Sequence, residues 1–268
     1  YDMDLSVEVS YKGKIVHRSV RQVKSRISTV TIDVKEEDNI DEIHFWTPEH
    51  PNLYDVCLQL KKGDQLLDEV KSYFGMRKIS VQGDTILLNN RVYYQKLILD
   101  QGYWKESLLT PPSDEAIKKD VEYTKQMGFN GARKHQKIED PRYYYWADRL
   151  GLLVWGEVPS GYEYNDEQTV NITNELIQFV NRDYNHPCIV TWVPLNESWG
   201  VRNIYSDQQQ QDFAMSLYFL IRSLDQTRLI STNDGWEQVY SDISAVHDYM
   251  ASGEKFLEKY AAKEAILY

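Results

Sequence analysis

The sequence has no long hydrophobic run, no excess of basic residues and few cysteines. No stretch approaches the roughly 20 apolar residues that a membrane-spanning helix needs, so no membrane partner is expected. The 30 lysines and arginines stand against 41 aspartates and glutamates, a net charge of −11. Nucleic-acid binders present a basic face, so nucleic acid is not expected as a partner either. The two cysteines, Cys57 and Cys188, lack a metal-ligand spacing, and we expect them to be reduced and buried.

The first residues lack the features of a signal peptide. The segment 1–4 has neither a basic start nor an apolar run, and the alternation Leu5, Val7, Val9 begins at once, as in a half-buried strand. A chain that starts inside a strand without an initiating Met is expected to be an excised fragment. The sequence does not fix the compartment, and we slightly favour the cytoplasm.

The composition is that of a globular protein with many aromatic side chains. The chain of 268 residues is 42% hydrophobic and 26% charged, which excludes disorder, collagen and coiled coil. It contains 20 Tyr, 7 Trp and 7 Phe. Aromatic rings fill cores, but Trp and Tyr also offer flat faces to sugar rings, and composition does not decide between these uses.

Residues 1–77 show short alternating runs and no helical period. Turns are predicted at Lys12-Gly13 and at Lys62-Gly63-Asp64. The pattern predicts an antiparallel β-sandwich, with strands at Leu5–Tyr11, Ile27–Val34, Glu42–Trp46, Tyr54–Lys61 and Gln65–Phe74.

Beyond residue 77 a hairpin is predicted over 86–94, and apolar runs then alternate with helical segments. Nearly wholly apolar strands indicate a parallel sheet covered by helices, and no Gly-rich phosphate loop follows the first strand. A (β/α)₈ barrel therefore fits better than a dinucleotide-binding sheet. A full barrel takes about 250 residues, and about 190 remain. We expect an incomplete barrel of six or seven strands, including 129–133, 152–155, 189–193, 228–231, 244–246 and 265–267.

Polar residues follow these strands, and in such barrels the carboxyl ends of the strands carry the active site. The strand ends are Arg133-Lys134-His135, Gly156-Glu157, Asn196-Glu197-Ser198-Trp199, Asn233-Asp234-Gly235-Trp236 and His247-Asp248-Tyr249.

Glu197 is the leading catalytic candidate. It follows the apolar run 189–193, and the neighbouring Trp192 and Trp199 favour a partly apolar setting in which a carboxylic acid can have a raised pKa and serve as general acid. Glycoside cleavage needs such an acid together with a second carboxylate. The alternative is a solvated loop glutamate.

Glu157 has three possible roles: a second carboxylate, a metal ligand, or a structural partner of Arg133 or Lys134, which we favour. His135 and His247 lack a metal-ligand spacing. We interpret them as hydrogen-bonded histidines and expect neither a metal nor a cofactor.

Several motifs, in order along the chain, resemble glycoside hydrolase family two, the group of β-galactosidases, β-glucuronidases and β-mannosidases. Together they cover residues 45 to about 200, with looser similarity to the end. The matching segments are Phe45-Trp46-Thr47-Pro48-Glu49-His50-Pro51-Asn52-Leu53-Tyr54, Phe74-Gly75-Met76-Arg77, Met127-Gly128-Phe129-Asn130-Gly131-Ala132-Arg133, Asn185-His186-Pro187 and Asn196-Glu197-Ser198-Trp199-Gly200.

The resemblance implies an immunoglobulin-like β-sandwich over 1–77, followed by a TIM-barrel catalytic domain over 78–268 that is truncated near strand seven. It implies a retaining exo-β-glycosidase acting on a carbohydrate substrate, with Glu197 as acid/base and Asn196 on the sugar 2-hydroxyl. Tyr249 is similar to the family's tyrosine near the nucleophile. We predict that the substrate is bound by Asn196, Glu157, Arg133, His135, Trp236 and Tyr249.

The chain also departs from the family pattern. His135 lies one position early, the segment 100–104 replaces a shorter opening, and Glu157-Val158-Pro159 stands where magnesium-dependent members have E-x-H. The segment 263–268 resembles strand seven, so the nucleophile is expected just beyond Tyr268 and the chain as given is expected to be inactive. Unpaired barrel edges favour self-association at Ala265–Tyr268, a possible homo-oligomer.

Two other functions stay open at this point. One is a non-catalytic carbohydrate-binding or interaction module whose strand-end aromatics form sugar platforms. The other is a glycosidase of a different barrel family, against which the segment 46–54 argues. The sequence does not name the sugar.

Overall fold

The computed structural model describes residues 2–27, 29–34 and 43–261. Its first part is an antiparallel sheet in the order β2-β1-β3-β4. The strands are β1 Asp4–Tyr11, β2 Lys14–Gln22, β3 Tyr54–Lys62 and β4 Gln65–Phe74.

One face of this sheet is apolar because every second residue of β1 points to it. Val7, Val9 and Tyr54 are buried there, and the segment 29–34 packs against them through Val34 and its apolar neighbours. The predicted strand at Ile27–Val34 is wrong for the residues described, which form no strand, and of Glu42–Trp46 only Phe45 and Trp46 make isolated bridges.

A small three-stranded sheet follows, made of β5 Ile79–Gln82, β6 Thr85–Leu88 and β7 Arg91–Val92. Asn89 and Asn90 form its tight turn with φ of 52° and 62°, a left-handed pair that asparagine tolerates. Ile79 and Leu88 are buried in the same core as the residues that follow.

The second part is a parallel sheet in the order β13-β11-β10-β9-β8, the chain order of a (β/α) barrel. Its strands are β8 Leu97–Asp100, β9 Gly131–Lys134, β10 Leu153–Glu157, β11 Ile189–Val193 and β13 Leu229–Ile230. Two short strands, β12 Leu195–Asn196 and β14 Asn233–Asp234, pair in parallel beyond the carboxyl ends of β11 and β13.

Five helices accompany the strands, and the first two begin at the residues expected from the sequence. They are α1 Asp114–Gln126, α2 Pro141–Leu150, α3 Asp166–Asp183, α4 Gln208–Leu224 and α5 Gly253–Tyr260. Ser113 and Asp140 cap α1 and α2 through their side chains, and Gly151 ends α2 with φ of 75°. None of the helices in the described ranges is both long and apolar enough to cross a bilayer.

The fold class, a β-domain followed by an incomplete (β/α)₈ barrel, is confirmed. The main sheet has five parallel strands within the described residues, fewer than the six or seven predicted. The predicted strand 244–246 is wrong, since those residues pair with no strand. The predicted strand 265–267 lies outside the described residues, and the boundary at residue 77 stays a prediction.

The two parts meet at the amino ends of the parallel strands. Asp148 of α2 is fully buried there: its Oδ2 accepts hydrogen bonds from the Tyr73 hydroxyl and from His186 Nδ1, at 2.8 and 2.6 Å, and its Oδ1 accepts one from the Cys188 N–H at 2.9 Å. The Trp46 indole donates to the carbonyl of Asp148. We call Tyr73, Arg77, Asp148 and His186 the junction.

Arg77 completes the junction with backbone contacts only. Its guanidinium donates to the carbonyl oxygens of Pro187, Thr227 and Ile189, at 3.1, 3.0 and 2.8 Å. These carbonyls lie at the start of β11 and β13, so one side chain from the first part of the chain ties down two barrel strands.

Candidate active site

Polar side chains from four strands meet at the opposite, carboxyl edge of the barrel sheet. Arg133 lies on β9, Glu157 ends β10, Asn196 ends β12, and Asp234 ends β14. All four are at least nine-tenths buried. Parallel strands deliver their carboxyl ends to one edge, which is why residues 101 positions apart in sequence become neighbours.

Arg133 is the centre of this cluster. Its Nη2 donates to Asn196 Oδ1 at 2.5 Å, and its Nε lies 3.1 Å from Asp234 Oδ2. Nε also lies 2.7 Å from Glu157 Oε2, the distance of an ion pair, but within the described ranges neither atom has a hydrogen-bond partner of good geometry. The guanidinium therefore holds two buried carboxylates and the amide beside Glu197.

Glu157 is fully buried, and both of its carboxylate oxygens face an N–H donor or a cation. Its Oε1 accepts from the backbone N–H of Gln136 at 2.9 Å and lies 3.1 Å from His135 Nδ1, while its Oε2 faces Arg133. A carboxylate paired in this way is a poor nucleophile. The contacts match the structural partner favoured from the sequence.

The backbone at Glu197 is in an unusual conformation. Glu197 and Ser198 both have left-handed φ, 48° and 56°, which costs free energy for residues other than glycine. Asn233 holds the turn, because its Oδ1 accepts from the Ser198 N–H at 2.8 Å and its Nδ2 donates to Ser198 Oγ at 2.9 Å. The Glu197 N–H donates to the Asp234 carbonyl at 3.0 Å.

The Glu197 carboxyl points to the mouth of the barrel and is about one-seventh exposed. Its Oε1 accepts hydrogen bonds from the Tyr249 hydroxyl and from His247 Nδ1, the latter at 2.6 Å. Burial by itself raises the pKa of Glu197, but the two hydrogen bonds outweigh it and hold the pKa below its usual value. The raised pKa expected from the apolar setting is therefore wrong. The bond to Glu197 also raises the pKa of Tyr249.

His247 joins Glu197 to the buried cluster. Its Nε2 lies 3.0 Å from Asp234 Oδ2, and that hydrogen bond raises the pKa of the imidazole against the effect of burial, with the bond to Glu197 adding to it. Burial raises the pKa of Asp234, but the bond from His247 and the charge of Arg133 bring it below its usual value. The imidazole is therefore stabilised in its charged form.

Aromatic side chains surround the mouth. The ring of Trp236 lies 6.5 Å from the His247 ring, and Trp199 meets Tyr162 edge to face at 5.6 Å. Tyr162 and Tyr249 are more than three-quarters exposed. Tyr249, whose hydroxyl donates to Glu197, is thus a flat, exposed ring beside a carboxyl, an arrangement suited to contact with a sugar.

The structure brings together all seven residues that the sequence singles out. The polar ones, Glu197, Asn196, Glu157, Arg133, His135 and Tyr249, are linked by the contacts above, and Trp236 lies at the edge. Their roles stay predictions. Among the described residues no group of three or more His, Cys, Asp or Glu is arranged to hold a metal ion.

Sequence reasoning missed Asp234 and Asn233. Both form the short strand β14 in the run Asn233-Asp234-Gly235-Trp236, of which only Trp236 is selected from the sequence. The rule that the carboxyl ends of barrel strands carry the site could have identified Asp234 as well, because this carboxylate ends the strand that pairs with β12. His247 is a hydrogen-bonded histidine, as interpreted from the sequence.

The fold and the position of this cluster define a (β/α)-barrel protein whose polar site lies at the carboxyl ends of its strands. The family model described as "Glycosyl hydrolases family 2" matches residues 2–77, and the one described as "Glycosyl hydrolases family 2, TIM barrel domain" matches residues 81–265. The chain belongs to glycosyl hydrolase family 2.

Named relatives agree with this assignment. The chain is 27% identical over 259 residues to a β-galactosidase of Thermoanaerobacterium thermosulfurigenes, an alignment that covers 91% of this chain and 34% of the relative. It is 27% identical over 208 residues to a β-glucuronidase of Streptococcus agalactiae, covering 66% and 34%.

Solved structures show the same fold. A crystal structure of a Bacteroides uniformis β-glucuronidase superposes with a TM-score of 0.73 at 24% identity, covering 85% of this chain and 29% of that one. A Parabacteroides merdae β-glucuronidase gives 0.72 at 20% identity, with the same coverage. The chain spans about a quarter to a third of the length of the curated relatives it matches.

Proposed function

We propose that this protein is part of a retaining β-glycosidase in which Glu197 is the general acid and base. The observation that carries the proposal is the Glu197 carboxyl, held at the barrel mouth on a strained turn with Asn196 and Arg133 beside it. Strain of this kind persists where the surrounding structure enforces it, and it clusters at functional sites.

The chemistry follows from the position of each group. Glu197 protonates the leaving oxygen as the glycosidic bond breaks, and its carboxylate then takes a proton from the water that releases the sugar. Asn196, oriented by Arg133, offers its amide N–H to the hydroxyl next to the reacting carbon. Because hydrogen bonds hold the pKa of Glu197 low, the acid form is lost as pH rises, and we expect the activity to decline toward neutral pH.

We also propose that the chain of 268 residues does not turn over a glycoside alone. A retaining enzyme needs a second carboxyl about 5 to 5.5 Å from the acid. Among the described residues, the buried carboxylates of this cluster, Glu157 and Asp234, are both paired with Arg133. The resemblance of the segment 263–268 to strand seven supports a nucleophile beyond Tyr268.

The test uses aryl β-glycosides with galactose, glucuronate, mannose and glucose as the sugar. We expect no turnover by the chain, and turnover by a version extended through strand eight of the same gene. In the extended version Glu197→Gln should lower kcat about 10²- to 10⁴-fold for a poor leaving group and far less for dinitrophenol, which needs no protonation. Equal losses for both leaving groups would contradict the role of Glu197.

The other candidate is a sugar-binding module, favoured by the exposed rings of Tyr162 and Tyr249 at the mouth. It predicts that both the chain and its extended version bind a glycoside without hydrolysing it, and that Glu197→Gln leaves the affinity unchanged. Calorimetric titration with the same glycosides separates the two functions.

A further inference from the structure

His247 is built into the site through both of its ring nitrogens. Nδ1 lies 2.6 Å from Glu197 Oε1, and Nε2 lies 3.0 Å from Asp234 Oδ2. A neutral imidazole has one N–H and can donate to only one of these carboxylates, whereas an imidazolium donates to both. The geometry therefore fits the charged ring.

The ring is also held by its backbone surroundings. The His247 N–H donates to the Gly235 carbonyl at 3.2 Å, and a methyl group added at Gly235 would lie 2.2 Å from the imidazole. Gly235 has φ of 94°, a conformation that side chains rarely adopt. The close approach of this glycine leaves the imidazole little room to turn away from the two carboxylates.

The charges around the ring come from three parts of the chain. The carboxylates are Glu197, which follows β12, and Asp234 on β14, and the opposing cation is Arg133 on β9, whose Nη1 lies 3.4 Å from Nε2. His135 acts on Glu197 from a greater distance, and Tyr249 donates to the same Oε1. Since Arg133 is shared with Glu157, the anions beside His247 are only partly neutralised.

We propose that His247 is a positioning residue. Its ring stays protonated on both nitrogens, donates to Glu197 and to Asp234, and thereby fixes which oxygen of Glu197 reacts. The inference rests on the proposed function of Glu197. Within the part of the chain that the structure describes, both hydrogen bonds to the carboxyl go to Oε1, which leaves Oε2 to carry the transferable proton.

The proton balance is simple. In the first step the Oε2–H bond breaks, its proton goes to the leaving oxygen, and the new carboxylate is stabilised by the Nδ1–H that already faces it. In the second step Oε2 takes a proton from water. His247 neither gains nor loses a proton in the cycle, so its effect is to favour the carboxylate form of Glu197.

The experiment is NMR titration of the chain itself, with ¹³C in the histidine rings and in the glutamate carboxyls. Signals are assigned by their loss in His247→Asn and Glu197→Gln. We expect the His247 signal to remain that of an imidazolium at pH 7 and its midpoint to fall by about one pH unit in Asp234→Asn. His17, on the edge strand of the antiparallel sheet, is the internal control whose midpoint must not move.

The decisive readout is the titration of Glu197. In His247→Asn, which keeps an N–H near the Nδ1 position but no charge, the Glu197 midpoint should rise by about one pH unit, and His247→Phe should raise it further. A purely structural role predicts no change in His247→Asn. Unchanged Glu197 midpoints, or a neutral His247 at pH 6 in the unmodified chain, would overturn the proposal.

These measurements need no turnover. A glycosidase assay that fails therefore leaves the assignment of His247 standing, and a failed titration leaves the proposed function standing. A thermal melt of each variant shows whether it is folded. If a variant does not fold, the protonation state of His247 is still measured in the unmodified chain.

Discussion

The junction and the candidate active site lie at opposite ends of the same parallel strands, and both contain buried charges. At the junction the two oxygens of Asp148 accept three hydrogen bonds, and Arg77 donates to three carbonyls. At the site, by contrast, three buried polar atoms lie at ion-pair distances but have no hydrogen-bond partner of good geometry among the described residues: Arg133 Nε, Glu157 Oε2 and His135 Nδ1.

The backbone shows the same difference. The site places two non-glycine residues, Glu197 and Ser198, in the left-handed region, whereas the junction residues are absent from the left-handed positions found in the described residues. Unsatisfied polar groups and backbone strain reduce stability, and they are retained where a ligand or a reaction uses them. The comparison is what we expect if the junction contributes mainly stability and the site carries the proposed chemistry.

The largest expected effect is at the junction. Asp148→Ala removes the acceptor of three buried donors, so we expect the free energy of unfolding to fall by about 3 to 5 kcal/mol, measured by urea denaturation. Tyr73→Phe, which removes one of the three donors, is the matched control and should cost about 1 kcal/mol. If Asp148→Ala lowered the free energy of unfolding no more than Tyr73→Phe does, the junction would not be the more stabilising of the two regions.

A neutral substitution of the buried carboxylate at the site should cost less. Glu157→Gln keeps the acceptor for the Gln136 N–H, and Arg133 keeps Asp234 and Asn196 as partners. We expect a loss of about 1 to 2 kcal/mol in the same urea experiment. A loss equal to that of Asp148→Ala would show that Glu157 supports the fold as strongly as the junction does.

Backbone strain at the site can be tested with a matched pair of neutral variants. Glu197→Asn and Glu197→Gln both remove the charge, but asparagine tolerates the left-handed conformation better. We therefore expect Glu197→Asn to be the more stable of the two by about 0.5 kcal/mol. Equal stability, read from unfolding midpoints at one pH, would argue that the turn stores no strain.

The smallest expected effect is a change in the pH dependence of stability. The pKa of His247 is raised on folding, so its contribution is complete below about pH 6.5 and is lost as pH rises through the folded value. The pKa of Asp234 is lowered, so its contribution is complete above about pH 4 and is lost as pH falls. The difference in unfolding free energy between the unmodified chain and His247→Asn should be largest between these limits. A difference that does not vary from pH 4 to 8.5 would contradict this assignment.

Much of the fold follows from local pattern. The strand β4 is predicted with the observed bounds because turn residues flank it on both sides, and β11 because it is a short, mostly apolar run. The strand β2 is not predicted, since its apolar residues show no regular alternation. The apolar residues at 244–246 were mistaken for a strand, because hydrophobicity alone does not specify a pairing partner.

For the site, the strand-end rule was sufficient to collect the residues but not to rank them. Arg133, Glu157 and Asn196 were found because each ends or follows an apolar strand. The importance of Asp234 depends on which side chains face each other across the barrel mouth, and that is set by the register of β12 against β14. Pairing between residues 38 positions apart leaves no local trace in a single sequence.

The junction also has a consequence for the order of folding. The contacts that join the first part of the chain to the barrel span long loops: Tyr73 reaches Asp148 across 75 residues, and Arg77 reaches Ile189 across 112. Closing long loops costs entropy before any contact forms, so the antiparallel sheet should dock late, after the barrel strands have paired with their neighbours. Tyr73→Phe should then accelerate unfolding and leave the refolding rate unchanged in stopped-flow measurements, whereas slower refolding would place the docking step early.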